Sequence, residues 1–139
     1  MRFASVVVVA MLGCGSSSPS PAYGGEIGPA DIKLVSDGPP FVEPVAMNRR
    51  RVAGEKLVIP DADTLAAVRQ SRTTLRGTFK YCVDQAGAVM SVDVMQSTGV
   101  ADYDARIART IHAWAFKPVV FHGAVIVACS PATFVFTAR

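Results

Sequence analysis

The stretch LRGTFKYCVDQAGAVMSVDVMQ, residues 75–96, reads as a strand, a turn and a returning strand. Phe79, Tyr81 and Val83 alternate with Lys80, Cys82 and Asp84, the period-two pattern of a half-buried strand. The first strand runs from Arg76 to Val83, and the turn is Asp84-Gln85-Ala86-Gly87. Val89 to Gln96 is the second strand, with Met90, Val92 and Val94 on one face and Ser91, Asp93 and Met95 on the other. Together they make an antiparallel hairpin. One residue is out of place in it, because Cys82 falls on the polar face.

Downstream, residues 97–102 form a loop into a helix with Asp102 as its N-cap. Tyr103, Ile107, Ile111 and Trp114 recur at spacings of four, four and three, a single apolar stripe. Pro118 is read as the end of the helix, since proline has no backbone N–H to donate. Residues 121–124 make a loop, and Val125 to Thr137 a long third strand. On that strand Phe134 and Phe136 share one face, and Cys129, Thr133 and Val135 the other. Pro131 within it calls for a bulge or an edge position. Upstream, Pro60-Asp61 starts a short helix that ends near Ser71, capped by Asp61 or Asp63, with Leu65 and Val68 on its apolar side. The expected fold is α+β. A three-stranded antiparallel sheet, in the order strand-strand-helix-strand, carries one main helix on one face, with a short helix before it. The other face is expected to be open.

The N-terminus has a different character. Arg2 is followed by an apolar run from Phe3 to Leu12, too short to cross a hydrocarbon layer of about 30 Å but suited to the core of a secretory signal. Leu12-Gly13-Cys14 resembles a bacterial lipoprotein lipobox, in which the leader is cut before the cysteine and the cysteine is lipidated. Met11 stands where leucine is usual. No Asp follows Cys14, which leans toward the outer membrane. Ser, Pro and Gly then dominate, a composition that cannot bury enough apolar surface to order itself. The expected organisation is a leader at 1–13, a flexible or irregular tether at 14–55 and a domain at 56–139. The run Arg49 to Arg51 is read as a solvated stretch in preference to a contact with anionic lipid.

If Cys14 carries lipid, two of the three cysteines remain, Cys82 and Cys129. Both fall on the face away from the helix, on strands that can pair. A cross-strand disulfide fits this parity in an oxidising compartment, where it would contribute at most roughly 4 kcal/mol by loop entropy. Two free thiols are the other reading.

A net charge of +3 over 139 residues lacks the basic stripe of a nucleic-acid binder. The sequence has no HExxH, CxxC, GxSxG or Gly-rich phosphate loop. His112 and His122 read as surface or packing residues, and Asp102 and Asp104 as helix-start residues. No catalytic residue, metal ligand or cofactor is expected.

Beyond these readings, residues 75–139 resemble the C-terminal domain of TonB, the energy transducer of Gram-negative envelopes. The resemblance is carried by Gly77, Val83-Asp84, Gly87, Val89, Val92, Val94 and Ser97-Thr98-Gly99. It continues through Asp104, Trp114-Ala115-Phe116, Pro118, Gly123 and Phe134-Val135-Phe136. It looks most like the cysteine-containing, myxobacterial-type lipoprotein version. The resemblance implies a periplasmic interaction module that binds an envelope protein, such as an outer-membrane transporter or a motility or secretion complex, by adding a strand to a sheet edge. The edges of the second and third strands are the candidates, with Thr133, Val135 and Thr137 as the binding residues. TonB itself has an inner-membrane helix and a long proline-rich spacer, neither of which is read here, so energy transduction is not expected. The alternative is a structural envelope lipoprotein with no strand-addition partner.

Overall fold

The computed structural model describes residues 25–138, so the leader at 1–13 and Cys14 lie outside it. In chain order it contains β1 (Ile32–Lys33), β2 (Phe41–Val42), α1 (Pro44–Arg50), β3 (Arg51–Ala53), α2 (Ala62–Ser71) and β4 (Thr74–Val83). Then come β5 (Val89–Gln96), α3 (Ala101–His112), β6 (Ala115–Phe116), β7 (Val119–Phe121), β8 (Ala124–Ile126) and β9 (Ala128–Thr137). The fold is α+β with α3 as its main helix. The expected β4–β5–α3–β9 order is present, and β1 and β2 extend the sheet to five strands in the order β1-β2-β9-β4-β5.

The β4–β9 ladder is antiparallel and unbroken from Thr74 opposite Thr137 to Val83 opposite Ala128. The β4–β5 ladder is not. Val83 faces Val89 but Cys82 faces Ser91, and Phe79 faces Val94 but Thr78 faces Gln96. Met90 and Met95 are therefore the extra residues of two bulges. This corrects the simple alternation: Val89, not Met90, shares the inner face with Val92 and Val94, and Met90 is 57% exposed.

The inner face holds the core. Phe79, Tyr81, Val83, Ile107, Ile111, Trp114 and Phe116 are buried. Tyr81 stacks on Phe116 at 5.5 Å between ring centroids and meets Trp114 edge-on at 5.5 Å. The stripe read from the sequence thus packs on the sheet through Tyr103, Ile107 and Ile111.

The ends of the elements differ from expectation. The N-cap of α3 is Val100, not Asp102, and no side chain caps it. The helix stops at His112 with Ala113 as C-cap, well before Pro118, because Ala115–Phe116 leave the helix to pair with β3. In α2, Asp61 is the cap and its carboxylate accepts the Thr64 N–H at 2.8 Å. The expected third strand is two elements. Ala124–Ile126 folds back on Val119–Phe121 around His122 and Gly123, at φ 49° and 74°, and β9 begins at Ala128.

From residue 25 on, the stretch expected as a tether packs against the domain, although residues 25–31 and 34–40 form no regular element. Ile27, Val42, Ala46 and Met47 are all buried, so the packed domain begins well before residue 56. Nor are the three arginines a solvated run. Arg49 is exposed, but Arg50 is buried and donates to the carbonyls of Gly25 (2.7 Å) and Pro118, and Arg51 lies over Trp114. Leu57-Val58-Ile59 adds no strand. It crosses the helix side of the domain, held by Tyr103 Oη to the Val58 carbonyl (2.7 Å), Trp114 Nε1 to Glu55 (2.7 Å) and Arg106 to Ile59 (3.0 Å).

Candidate interaction edge

Apart from the two-residue β1 at the far end of the sheet, two strands among the described residues offer an outer edge, and they are not equivalent. β5 ends the sheet, but its two bulges interrupt the regular row of backbone groups that a pairing strand needs. β9 is straight. Its outer side is met by β2 at one position only, Phe41 opposite Cys129. There the Cys129 N–H donates to the Pro40 carbonyl at 2.9 Å, and Ser130 Oγ donates to the Val42 carbonyl at 2.8 Å.

The Cys129 bond sets the parity of the strand. Because the Cys129 N–H points away from β4 and the ladder has no shift, the odd residues that follow point the same way. Pro131 therefore sits where its missing N–H removes nothing from the β4 ladder, and β9 needs no bulge to hold it. Thr133 and Val135 next present their N–H and C=O groups outward. Among the described residues no strand pairs with them.

Alongside this stretch runs a groove of about 550 Å³. Pro131, Thr133 and Val135 form one wall, Pro44, Asn48, Lys56 and Leu57 the other, and Tyr81, Trp114 and Phe134 reach it from the core. Burial pushes the Tyr81 hydroxyl up to about 12, against smaller opposing effects from Ser130 and Arg51, so it stays neutral. The two cations on the lining are Arg51 and Lys56, and no Asp or Glu is among the lining residues.

Of the residues singled out from the sequence, Thr133 and Val135 line the groove, while Thr137 lies on the same strand face beyond it. Thr133 and Thr137 face Thr78 and Thr74, with hydroxyl separations of 3.2 and 3.1 Å. Cys82 and Cys129 are joined in a disulfide at the other end of β9. They are not exposed on an open face as expected, since both are buried beside the incoming β2.

His112 is exposed at the end of α3 and His122 exposed in the β7–β8 turn. Asp104 is a structural residue. It accepts from the Thr98 N–H (2.9 Å) and hydroxyl (2.6 Å) and from the Ser97 hydroxyl. Partial burial raises its pKa, but these hydrogen bonds outweigh it and hold the carboxyl below its usual range. Among the described residues no group of three or more His, Cys, Asp or Glu side chains could hold a metal ion, and no helix is long and apolar enough to cross a membrane.

Lys56 and α1 were missed from sequence, and Arg51 was read only as part of a solvated stretch. The signal was present in Pro44 at a helix start and in Ala46, Met47 and Arg50 at helical spacing, which bury one side of α1.

No family model matches the chain, and no curated protein matches it. Among solved structures it is similar to the solution NMR structure of the TonB C-terminal domain of Pseudomonas aeruginosa. The likeness has a TM-score of 0.50 at 16% identity and covers 83% of this chain and 94% of that one. The arrangement of a hairpin, a crossing helix and a final strand paired to the first is thus matched over most of both chains, and the protein carries the fold of the TonB C-terminal domain.

Proposed function

We propose that this protein is a lipid-anchored interaction module of the cell envelope that binds an extended segment of an envelope partner along the outer edge of β9. One observation carries the reading: beyond Cys129, an uninterrupted strand turns its outward backbone groups toward a groove and not toward another strand of the described residues. A regular row of free donors and acceptors beside side-chain pockets is what strand addition requires. Thr133 and Val135 supply the row, and Thr137 continues it.

The lipobox-like Leu12-Gly13-Cys14 supports a lipid anchor in the periplasm, with the outer membrane favoured, and the Cys82–Cys129 disulfide suits that oxidising compartment. An outer-membrane transporter or a motility or secretion complex fits as partner. The reading includes neither catalysis nor nucleic-acid binding.

A second reading, a structural lipoprotein whose edge is capped by its own chain, is favoured by the contact of β2 with Cys129. Site-specific photocrosslinking in cells separates the two, with the probe at Thr133 or Thr137 and the lipid anchor kept. A discrete partner is the expected result. Crosslinks that return only to residues 41–60 would establish the capped, structural reading instead.

A further inference from the structure

We propose that the groove beside β9 selects a strand bearing a carboxylate, received by Arg51 with Lys56 at its side. The proposal rests on the strand-addition reading and names the chemistry of the segment bound.

Charge is the first argument. The groove lining carries two cations and no acid, and neither Arg51 nor Lys56 has an ion-pair partner among the described residues. The second is the state of the guanidinium. Arg51 Cζ lies 4.5 Å from the centroid of the Trp114 ring, and Arg51 Nη2 is buried with no hydrogen-bond acceptor among the described residues. Stacking on an indole holds a guanidinium in place without using its in-plane donors. Buried donors are ordinarily satisfied, and a carboxylate matches the guanidinium fork better than any neutral acceptor.

Geometry fixes where on the incoming strand the acid belongs. Trp114 stacks on Phe134 with centroids 6.1 Å apart, which puts Arg51 on the core side of β9. Residues of an added strand alternate between the two faces. The carboxylate therefore sits on the face turned toward Trp114, not on the face aligned with Thr133 and Val135. Same-face neighbours two residues away meet Leu57, Val58 and Phe134, which suit aliphatic side chains.

The test uses the purified full chain and capped, fluorescent octapeptides of alternating Thr and Val, with a single Glu or Gln placed at each position in turn. Fluorescence anisotropy at low salt should give one Glu position that binds about tenfold tighter than its Gln counterpart, the range of one charge-assisted hydrogen bond. Raising the salt should shrink that ratio, and Arg51→Gln should bring it close to one. Because Arg51 packs on Trp114, Lys56→Gln is the second variant. Its exposed side chain leaves the fold intact, and the ratio should fall roughly two- to threefold. If Glu and Gln peptides bind equally and backbone N-methylation abolishes both, strand addition stands and acid selection is overturned. If neither peptide binds, or N-methylated peptides bind as well as the others, strand addition at this groove is overturned and acid selection with it.

Discussion

Cys82 and Cys129 stand directly opposite each other in the β4–β9 ladder, and their disulfide ties the two central strands together at the end where β2 joins the sheet. The tie spans 47 residues, including β5 and all of α3. Cross-linking a loop of this length removes denatured-state entropy worth up to about 4 kcal/mol. The double substitution Cys82→Ser, Cys129→Ser should therefore lower stability by about 2–4 kcal/mol and Tm by roughly 10–20 °C. Thermal unfolding followed by circular dichroism measures this. Reductant should produce the same drop in the native protein and none in the variant. A variant that melts within a few degrees of the native protein would show that the bond is dispensable to the fold.

Gly87 and Gly99 both read as turn glycines, and the structure separates them. Both have positive φ, 87° and 89°. A Cβ on Gly87 would lie 1.9 Å from the backbone oxygen of Phe116, whereas one on Gly99 would meet nothing within 4 Å. Gly99→Ala should cost about 1 kcal/mol, the strain of a left-handed non-glycine residue. Gly87→Ala should cost about 3 kcal/mol or more, because the β6 backbone must move as well. Urea midpoints of the two variants give the comparison, and equal losses would rule out the close approach to β6.

What could be read in advance and what could not divide along the same physical line. Alternation in β4 and β9 reports faces directly, so the hairpin, the partnering of Cys82 with Cys129 and the shared strand face of Thr133 and Val135 followed from local pattern. The bulges at Met90 and Met95 did not, because an extra residue in an apolar strand leaves the composition unchanged. Much of residues 25–55 was illegible for another reason. Ile27 and Val42 each dock singly, with no period, and Arg50 is held by carbonyls 25 and 68 residues away. The groove combines these two difficulties: one wall is β9 and the other the Pro44–Val58 region, and nothing in either segment alone shows that they meet.

Asp104 gives the fold a pH dependence whose sign can be worked out. Partial burial opposes ionisation, but the hydrogen bonds from Ser97 and Thr98 win, so the folded pKa lies below the unfolded value of about 3.9. A depressed carboxyl contributes stability that is present above the unfolded pKa and lost as pH falls through the folded one. Asp104→Asn should cost about 1–2 kcal/mol at neutral pH, by replacing an accepting oxygen with an NH2 donor that faces other donors. The gap between variant and native protein should narrow as pH falls below about 4. Urea denaturation across pH 2–7 measures both curves, and a constant gap would show that the ionised state of Asp104 is not what holds the Ser97–Thr98 loop.

The parity of β9 makes the sharpest prediction about the binding edge, because the strand already contains its own control. Pro131 is odd-numbered, its nitrogen faces outward, and the β4–β9 register runs through it without a shift. Val135 has the same parity, so Val135→Pro removes an outward N–H and leaves every β4–β9 hydrogen bond in place. Phe134→Pro removes a donor from the ladder itself and the ring that stacks on Trp114. Val135→Pro should thus leave Tm within about 5 °C of the native value, a loss of roughly 1 kcal/mol at most, while abolishing the crosslink from Thr133. Phe134→Pro should unfold the domain. Loss of the crosslink cannot then be blamed on unfolding, since the fold is read separately by Tm. A crosslink that survives Val135→Pro undiminished would mean that the partner is held by the groove's side chains and not by strand addition to the β9 backbone.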